Sequence, residues 1–400
     1  MDLDAEIRRL IEEIEPRLVE IRQDLHHHPE LGFEETRTAA LVADKLKELG
    51  FEVKTGVAKT GVVGLLKGRG EGPVVALRAD MDALPIEEKN DLPYASGEKG
   101  KMHACGHDAH VAILLGVAMV LSRLKDKIPG QVKLIFQPAE EGPGGARPMI
   151  KEGVLDNPAV DAILGLHVWL DIPAGKIGVK TGPTFASIDE FDLVVKGSSS
   201  HGASPHQGID AVLVAAQMVN ALQSTISRSI DPTEPGVVTI GKIEGGYRRN
   251  IIADQVRLEG TVRCVRPEIR KQLEKKIRQI IQGISNAYGS DYELDYRHDY
   301  PPLINNQEVT GLVSQISEKV VGPENVIGVE KPTLGGEDFA YFLEKVPGCF
   351  FLLGGRNEEK GITAPHHNPY FNLDESVMPI GVEVLVRATL ELLNKGEDDV

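Results

Sequence analysis

Met102-His-Ala-Cys-Gly-His-Asp-Ala-His110 runs directly into Val111-Ala-Ile-Leu-Leu-Gly-Val-Ala-Met-Val-Leu121. The first stretch is dense in histidine, with a cysteine and an aspartate among them; the second is apolar throughout. Ligand-type side chains on the turn that enters a buried helix are how a folded core holds a metal rigidly. The pair predicts a buried helix with a metal-binding turn at its start, and with it a metal-dependent hydrolase.

On either side lie short apolar runs of strand length. Val74-Val-Ala-Leu-Arg-Ala leads into Asp80-Met-Asp82-Ala-Leu-Pro. Gln131-Val-Lys-Leu-Ile-Phe136 leads into Gln137-Pro-Ala-Glu140-Glu141-Gly, and Ala162-Ile-Leu-Gly-Leu166 ends at His167. Carboxylates at the carboxyl ends of buried strands are where open α/β sheets place their ligands. Helical spacing covers residues 4–28, through Ile7, Leu10, Ile11, Ile14, Leu18, Ile21 and Leu25, with Pro29 ending it. A second helix is predicted over 34–49, stopped by Gly50. Helices alternating with buried strands predict an α/β fold: a helix-covered, largely parallel sheet. His26, His27 and His28 fall inside the first helical pattern and are read as helix-end residues, not ligands.

The texture changes near residue 187. Ile188-Asp-Glu-Phe-Asp-Leu-Val-Val-Lys alternates polar and apolar residues, as a strand with one wet face does. A helix (209–229), strands at 237–240, 250–253 and 256–263, a helix (267–288) and a strand (292–296) follow. That order predicts an inserted α+β, ferredoxin-like module at 187–296 with an antiparallel sheet. The expected division is therefore 1–186 and 297–400 for the α/β domain, with 187–296 inserted. Later elements are a helix over 306–321, a strand at Cys349-Phe-Phe-Leu-Leu-Gly354 and a final helix over 379–394, with a frayed tail from Gly396.

Composition sets bounds. Four hundred residues exceed one small core, and 41% hydrophobic with 26% charged residues is ordinary for a soluble globular chain. With 44 Lys and Arg against 60 Asp and Glu, the net charge is −16. No basic stripe exists to neutralise phosphates, so neither nucleic acid nor an anionic membrane is an expected partner. Cys105, Cys264 and Cys349 form no disulfide pattern. The charged, helical start does not read as a signal peptide, so a cytoplasmic location is expected.

The candidate metal ligands are Cys105, His107, Glu141, His167 and His367. Cys105 and His107 are two apart, so an extended turn can point both at one site. Thiolate, imidazole and carboxylate together suit zinc best, with manganese, cobalt or nickel also accommodated. Five donors exceed one closed tetrahedral site; they fit two metals, or one catalytic metal with spares. Of the adjacent Glu140 and Glu141, one can bind metal while the other faces substrate. A glutamate that is not a ligand is the general base of metal-assisted hydrolysis. Asp82 is placed to accept the second N–H of a ligating histidine. Two plainer readings of Cys105 compete. An inert buried thiol would not sit between histidines, and a Cys–His nucleophile would leave Glu140-Glu141 without a role. Cys264 and Cys349 read as core, and Asp338 as a cap for the helix starting at Phe339.

Five ordered motifs carry a resemblance over nearly the whole chain. They are Arg78-Ala-Asp80-Met-Asp82-Ala-Leu-Pro, His103-Ala-Cys105-Gly-His107-Asp, Gln137-Pro-Ala-Glu140-Glu141-Gly, Gly165-Leu-His167 and His366-His367-Asn. Together they resemble the zinc aminoacylase/carboxypeptidase family, in its branch of N-acyl-amino-acid amidohydrolases, auxin-conjugate hydrolases and hippurate hydrolases. The resemblance implies a di-metal catalytic domain with an inserted lid or dimerisation domain. It implies Cys105, His107, Glu141, His167 and His367 as ligands of two divalent ions, most simply zinc, and Glu140 as the base. It also implies that His201, in Ser200-His201-Gly-Ala-Ser-Pro, polarises the substrate carbonyl, and that Asn250 holds the substrate's polar groups. The wider family has His-x-Asp where this chain has Asp80-Met-Asp82, so that family's first ligand does not carry over. The expected substrates are N-acyl amino acids or short peptides, and the expected assembly is a homo-oligomer (dimer or tetramer).

Overall fold

The computed structural model describes residues 2–70 and 72–398. The chain forms two compact units, one of Met1–Gly182, Asn305–Glu330 and Tyr341–Val400, the other of Pro183–Ile304 and Lys331–Ala340.

The first unit opens with helices α1 (Leu3–His27) and α2 (Thr36–Glu48), then strands β1 (Glu52–Val57), β2 (Gly61–Lys67) and β3 (Val74–Asp80). Helix α3 (His107–Arg123), β4 (Gln131–Gln137), α4 (Ala146–Lys151), β5 (Ala162–Pro173) and β6 (Ile177–Val179) follow. The chain leaves this unit at β7 (Gly182–Phe185). The second unit contains β8 (Asp189–Lys196), α5 (Ala211–Ser229), β9 (Gly236–Gly245), β10 (Gln255–Cys264), α6 (Pro267–Tyr288) and β11 (Asp291–His298). After β12 (Leu303–Asn305) come α7 (Gln307–Val321), β13 (Val326–Gly328), α8 (Ala340–Leu343), β14 (Gly348–Arg356) and α9 (Met378–Asp398).

The large sheet of the first unit has the order β1-β2-β4-β3-β5-β14-β6-β13. Its centre, β4-β3-β5-β14, is parallel throughout. The flanks add antiparallel pairs, β1 with β2, β2 with β4, and β14 with β6. β3 is buried at every position, as a strand covered on both faces must be. The seven apolar positions of α1 that set the helical period are all buried. They pack on α3, which is itself buried on all sides from His107 to Ala118. An α-helix apolar around its whole circumference belongs in the middle of a core, and α3 lies between α1 and α9.

Two expectations need correction here. β5 does not end at His167 but continues to Pro173, pairing with β14 beyond that residue, so His167 lies mid-strand. The final helix runs to Asp398, four residues past its expected end. The expected fraying from Gly396 concerns side chains, and at 399–400 backbone, outside the described residues.

The second unit's sheet has the order β11-β8-β10-β9 and is antiparallel at each pairing. Phe191, Leu193 and Val195 of β8 face its core, with the intervening residues less buried. Gly260 is paired with Phe191, and a Cβ there would stand 2.3 Å from the Phe191 ring. Asp210 caps α5 by accepting the N–H groups of Val212 and Leu213. Residues 250–253, expected as a strand, contribute only an isolated bridge between Ile251 and His201. The Phe339 N–H donates to Glu337 at 2.8 Å, and the helix expected to start at Phe339 starts at Ala340. Cys264 and Cys349 are fully buried, as core residues should be.

Candidate metal centre

Four pieces of the first unit bring the predicted ligands together. The turn before α3 supplies Cys105, and His107 is the first residue of that helix. Between them Gly106 takes φ 87°, a left-handed conformation that glycine adopts without strain. The turn after β4 supplies Glu140 and Glu141, β5 supplies His167, and the loop before α9 supplies His367. The His367 backbone N–H donates to the carbonyl of Ala104 at 2.8 Å, which ties that loop to the cysteine turn.

The ligand atoms form overlapping groups. Cys105, His107 and His167 have donor atoms within 4.8 Å of one another, and so do Cys105, Glu141 and His367. A third group joins His107, Glu140 and Glu141. Cys105 Sγ is 3.5 Å from His167 Nε2, and His367 Nε2 is 3.0 Å from Glu141 Oε1. The thiol is thus common to two groups, each of the size that holds one divalent ion.

The histidine tautomers are fixed by what lies behind them. His107 Nδ1 donates to the Asp82 carbonyl oxygen at 2.9 Å, and His167 Nδ1 donates to the Val168 carbonyl at 2.7 Å. A carbonyl can only accept, so each Nδ1 carries the hydrogen and each Nε2 turns a lone pair to the site. His107 Nε2 is buried without a hydrogen-bond partner. An orphaned buried nitrogen beside a thiol and carboxylates fits a cation. The local field agrees. Burial opposes charge on His107, but Asp80 and Asp82 outweigh it and push its pKa up to about 10, so these carboxylates favour positive charge at Nε2, a proton or a metal ion in the proton's place.

Asp82 does more than was expected of it. Its backbone carbonyl, not its carboxylate, takes the closest His107 contact, with Oδ1 at 3.3 Å. The carboxylate oxygens accept the N–H groups of Glu140 and Glu141, each at 3.0 Å. Asp80 is fully buried, with Oδ2 accepting from Arg78 at 2.7 Å and Oδ1 from His110 at 2.6 Å. Burial raises the Asp80 carboxyl, but His107, Arg78 and His110 hold it well below the usual carboxylate range. His110 Nε2 in turn accepts the Val168 N–H at 2.9 Å, linking β3 to β5 beside His167. Asp108, next to His107, is anchored by Arg22 Nε at 2.9 Å and His26 Nδ1 at 2.8 Å. His110, read from the sequence as a local hydrogen-bonding residue near the site, has that role; Arg22, Arg78 and Glu35 were assigned none, Glu35 falling inside the expected helix over 34–49.

His201 and Asn250 lie in the second unit and are exposed there. They are neighbours: the Gly202 N–H donates to the Asn250 carbonyl at 2.9 Å, and His201 bridges to Ile251. His201 Nδ1 accepts the Ala203 N–H at 3.0 Å.

Set beside known proteins, the chain matches the profile of peptidase family M20/M25/M40 over residues 76–391. This chain belongs to that family. Thermostable carboxypeptidase 1 of Saccharolobus solfataricus is 42% identical over 99% of this chain and 100% of its own length. The N-acetyl-L-cysteine deacetylase of Bacillus subtilis is 41% identical over 96% of this chain and 90% of its own. The crystal structure of Bacillus subtilis YXEP protein, described as a dinuclear metal binding peptidase from the M20 family, superimposes with a TM-score of 0.83. It is 36% identical and covers 96% of this chain and 99% of that one. As a member of the M20/M25/M40 family, the protein is a metal-dependent hydrolase with the mixed α/β fold described above. Among the described residues no helix is long and apolar enough to cross a membrane.

Proposed function

We propose that the protein hydrolyses the amide bond of N-acyl amino acids, with Glu140 as general base and two divalent ions, zinc by preference, at the site. The observation that carries this reading is the overlap of two three-residue donor groups at Cys105, with Glu140 buried alongside. Cys105, His107 and His167 would hold one ion, and Cys105, Glu141 and His367 the other. When bound, the ions supply Lewis acidity toward the substrate carbonyl and lower the pKa of water.

The remaining chemistry belongs to the chain. Glu140, its backbone held by Asp82, accepts the proton of the attacking water. It returns that proton to the leaving nitrogen as the amide C–N bond breaks. His201 as the group that meets the oxyanion, and Asn250 as a holder of substrate polar groups, rest on the family resemblance alone.

A second reading is cleavage of short or N-blocked peptides, favoured by the 42% identity to a protein named carboxypeptidase. A homo-oligomer is also proposed, since β9 is a sheet edge with Ile243 exposed upon it.

A panel of N-acyl amino acids against unblocked dipeptides separates the two substrate classes. On the better substrate, Glu140→Ala should lose at least ~10²-fold in kcat while keeping its metal, since a base contributes roughly 10²–10⁴-fold. Near-normal turnover by that variant would remove Glu140 from the mechanism.

A further inference from the structure

Glu35 has no role in the chemistry above, yet its carboxylate is fully buried. It stands at the start of α2 without capping it through its side chain. Oε1 accepts the Ala139 N–H at 2.9 Å, and Oε2 accepts the Thr60 hydroxyl at 2.5 Å. Burial pushes the Glu35 carboxyl up, and a position serving packing alone would hold an apolar side chain. Ala139 is at φ 53°, a left-handed conformation that a residue with a Cβ keeps only when its surroundings over-determine it. The next two N–H groups, of Glu140 and Glu141, go to Asp82. Three consecutive amides are therefore aimed at two buried carboxylates. Gly32, on the loop that carries Glu35, touches the same turn. A Cβ there would lie 2.8 Å from the Gly142 carbonyl oxygen and 3.0 Å from the Ala139 Cβ.

We propose that Glu35 is a positioning residue for the Glu140 base, holding the 138–142 turn in the left-handed form through its bond to the Ala139 N–H. The proposal rests on Glu140 being the base. Without an acceptor at Ala139 the strained φ relaxes, and the peptide planes that carry Glu140 and Glu141 to the site rotate. A carboxamide at position 35 still offers an oxygen to that N–H, whereas a methyl does not.

The test compares Glu35→Ala, Glu35→Gln and Thr60→Val in the metal-loaded enzyme, reading kcat, KM, thermal midpoint and amide hydrogen exchange over residues 136–145. Glu35→Ala should lower kcat at least 10-fold with KM within twofold, and should speed exchange across the turn. Glu35→Gln should restore both. Thr60→Val, which removes only the far partner, should lower the thermal midpoint and keep kcat. Should the alanine variant fail to fold, Glu35→Asp keeps the charge but draws the carboxylate back, and it should lose kcat at constant KM. Unchanged kcat and exchange in Glu35→Ala, or equal kcat losses in Glu35→Ala and Thr60→Val, would overturn the proposal. If Glu140→Ala itself kept normal turnover, the base would be misassigned, and the exchange data alone would decide whether Glu35 holds the turn.

Discussion

Asp82 faces two ways: its carbonyl fixes the tautomer of His107 while its carboxylate gathers the amides of Glu140 and Glu141. The types of the ligand residues announce their chemistry, since thiol, imidazole and carboxylate side chains at close spacing have few other uses together. Supporting residues announce nothing of the kind. Arg22 reaches an aspartate 86 positions away and Glu35 an amide 104 positions away, so neither contact has a local pattern to betray it. Asp374 is another such residue, and it gives a prediction at this scale. Burial works against its ionisation, but Lys360, Asn357 and Ser376 hold its pKa down to about 2. A carboxyl depressed in the folded state stabilises fully above its unfolded pKa, roughly 3.9, and loses that contribution as pH falls toward the folded value. The stability advantage of the wild type over Asp374→Asn should therefore shrink between about pH 4 and pH 2. The shrinkage is at most about 2 kcal/mol, given that the Lys360 partner is largely exposed. Denaturant unfolding of both proteins across that range checks it.

Among the elements, those with a strong period were legible and those defined by their partners were not. The seven apolar positions of α1 fixed its inward face before any contact was known, and α3 declared its burial by having no polar face. β6 and β13 are three residues each and exist because β14 offers an edge to β6 and β6 offers one to β13, so no local pattern marks them. His167 was expected to end a strand because the apolar run stops there. The strand continues because β14 pairs beyond it, and hydrogen bonding to a neighbour outweighs a polar side chain in the run. Lys133 shows the same override. It lies in β4 inside the sheet, almost fully buried, and donates to the carbonyls of Val154, Asp156 and Pro158 at 2.9, 3.0 and 2.8 Å. That ammonium pins the turn between α4 and β5 to the sheet. Lys133→Met should lower unfolding stability by roughly 2–3 kcal/mol, because three carbonyls lose a charged donor. A urea midpoint unchanged from wild type would show the turn to be held otherwise.

For the whole molecule, each unit carries its own apolar core, and a length of 400 residues had pointed to more than one. The change from buried runs to alternating ones located the second unit's sheet, while its short segment Lys331–Ala340 has no period to reveal it. The excess of acidic over basic residues leaves the field of the protein favourable to cations, in keeping with a site built from thiol, imidazole and carboxylate groups. The central claim is that side chains scattered from Cys105 to His367 converge into two donor groups that would hold two divalent ions, with the thiol common to both groups. Elemental analysis of purified wild type and Cys105→Ala, each counted as ions per chain, tests it most directly. The account predicts two ions in the wild type and at most one in the variant. A wild type without bound metal, or a variant that keeps both ions, would contradict it.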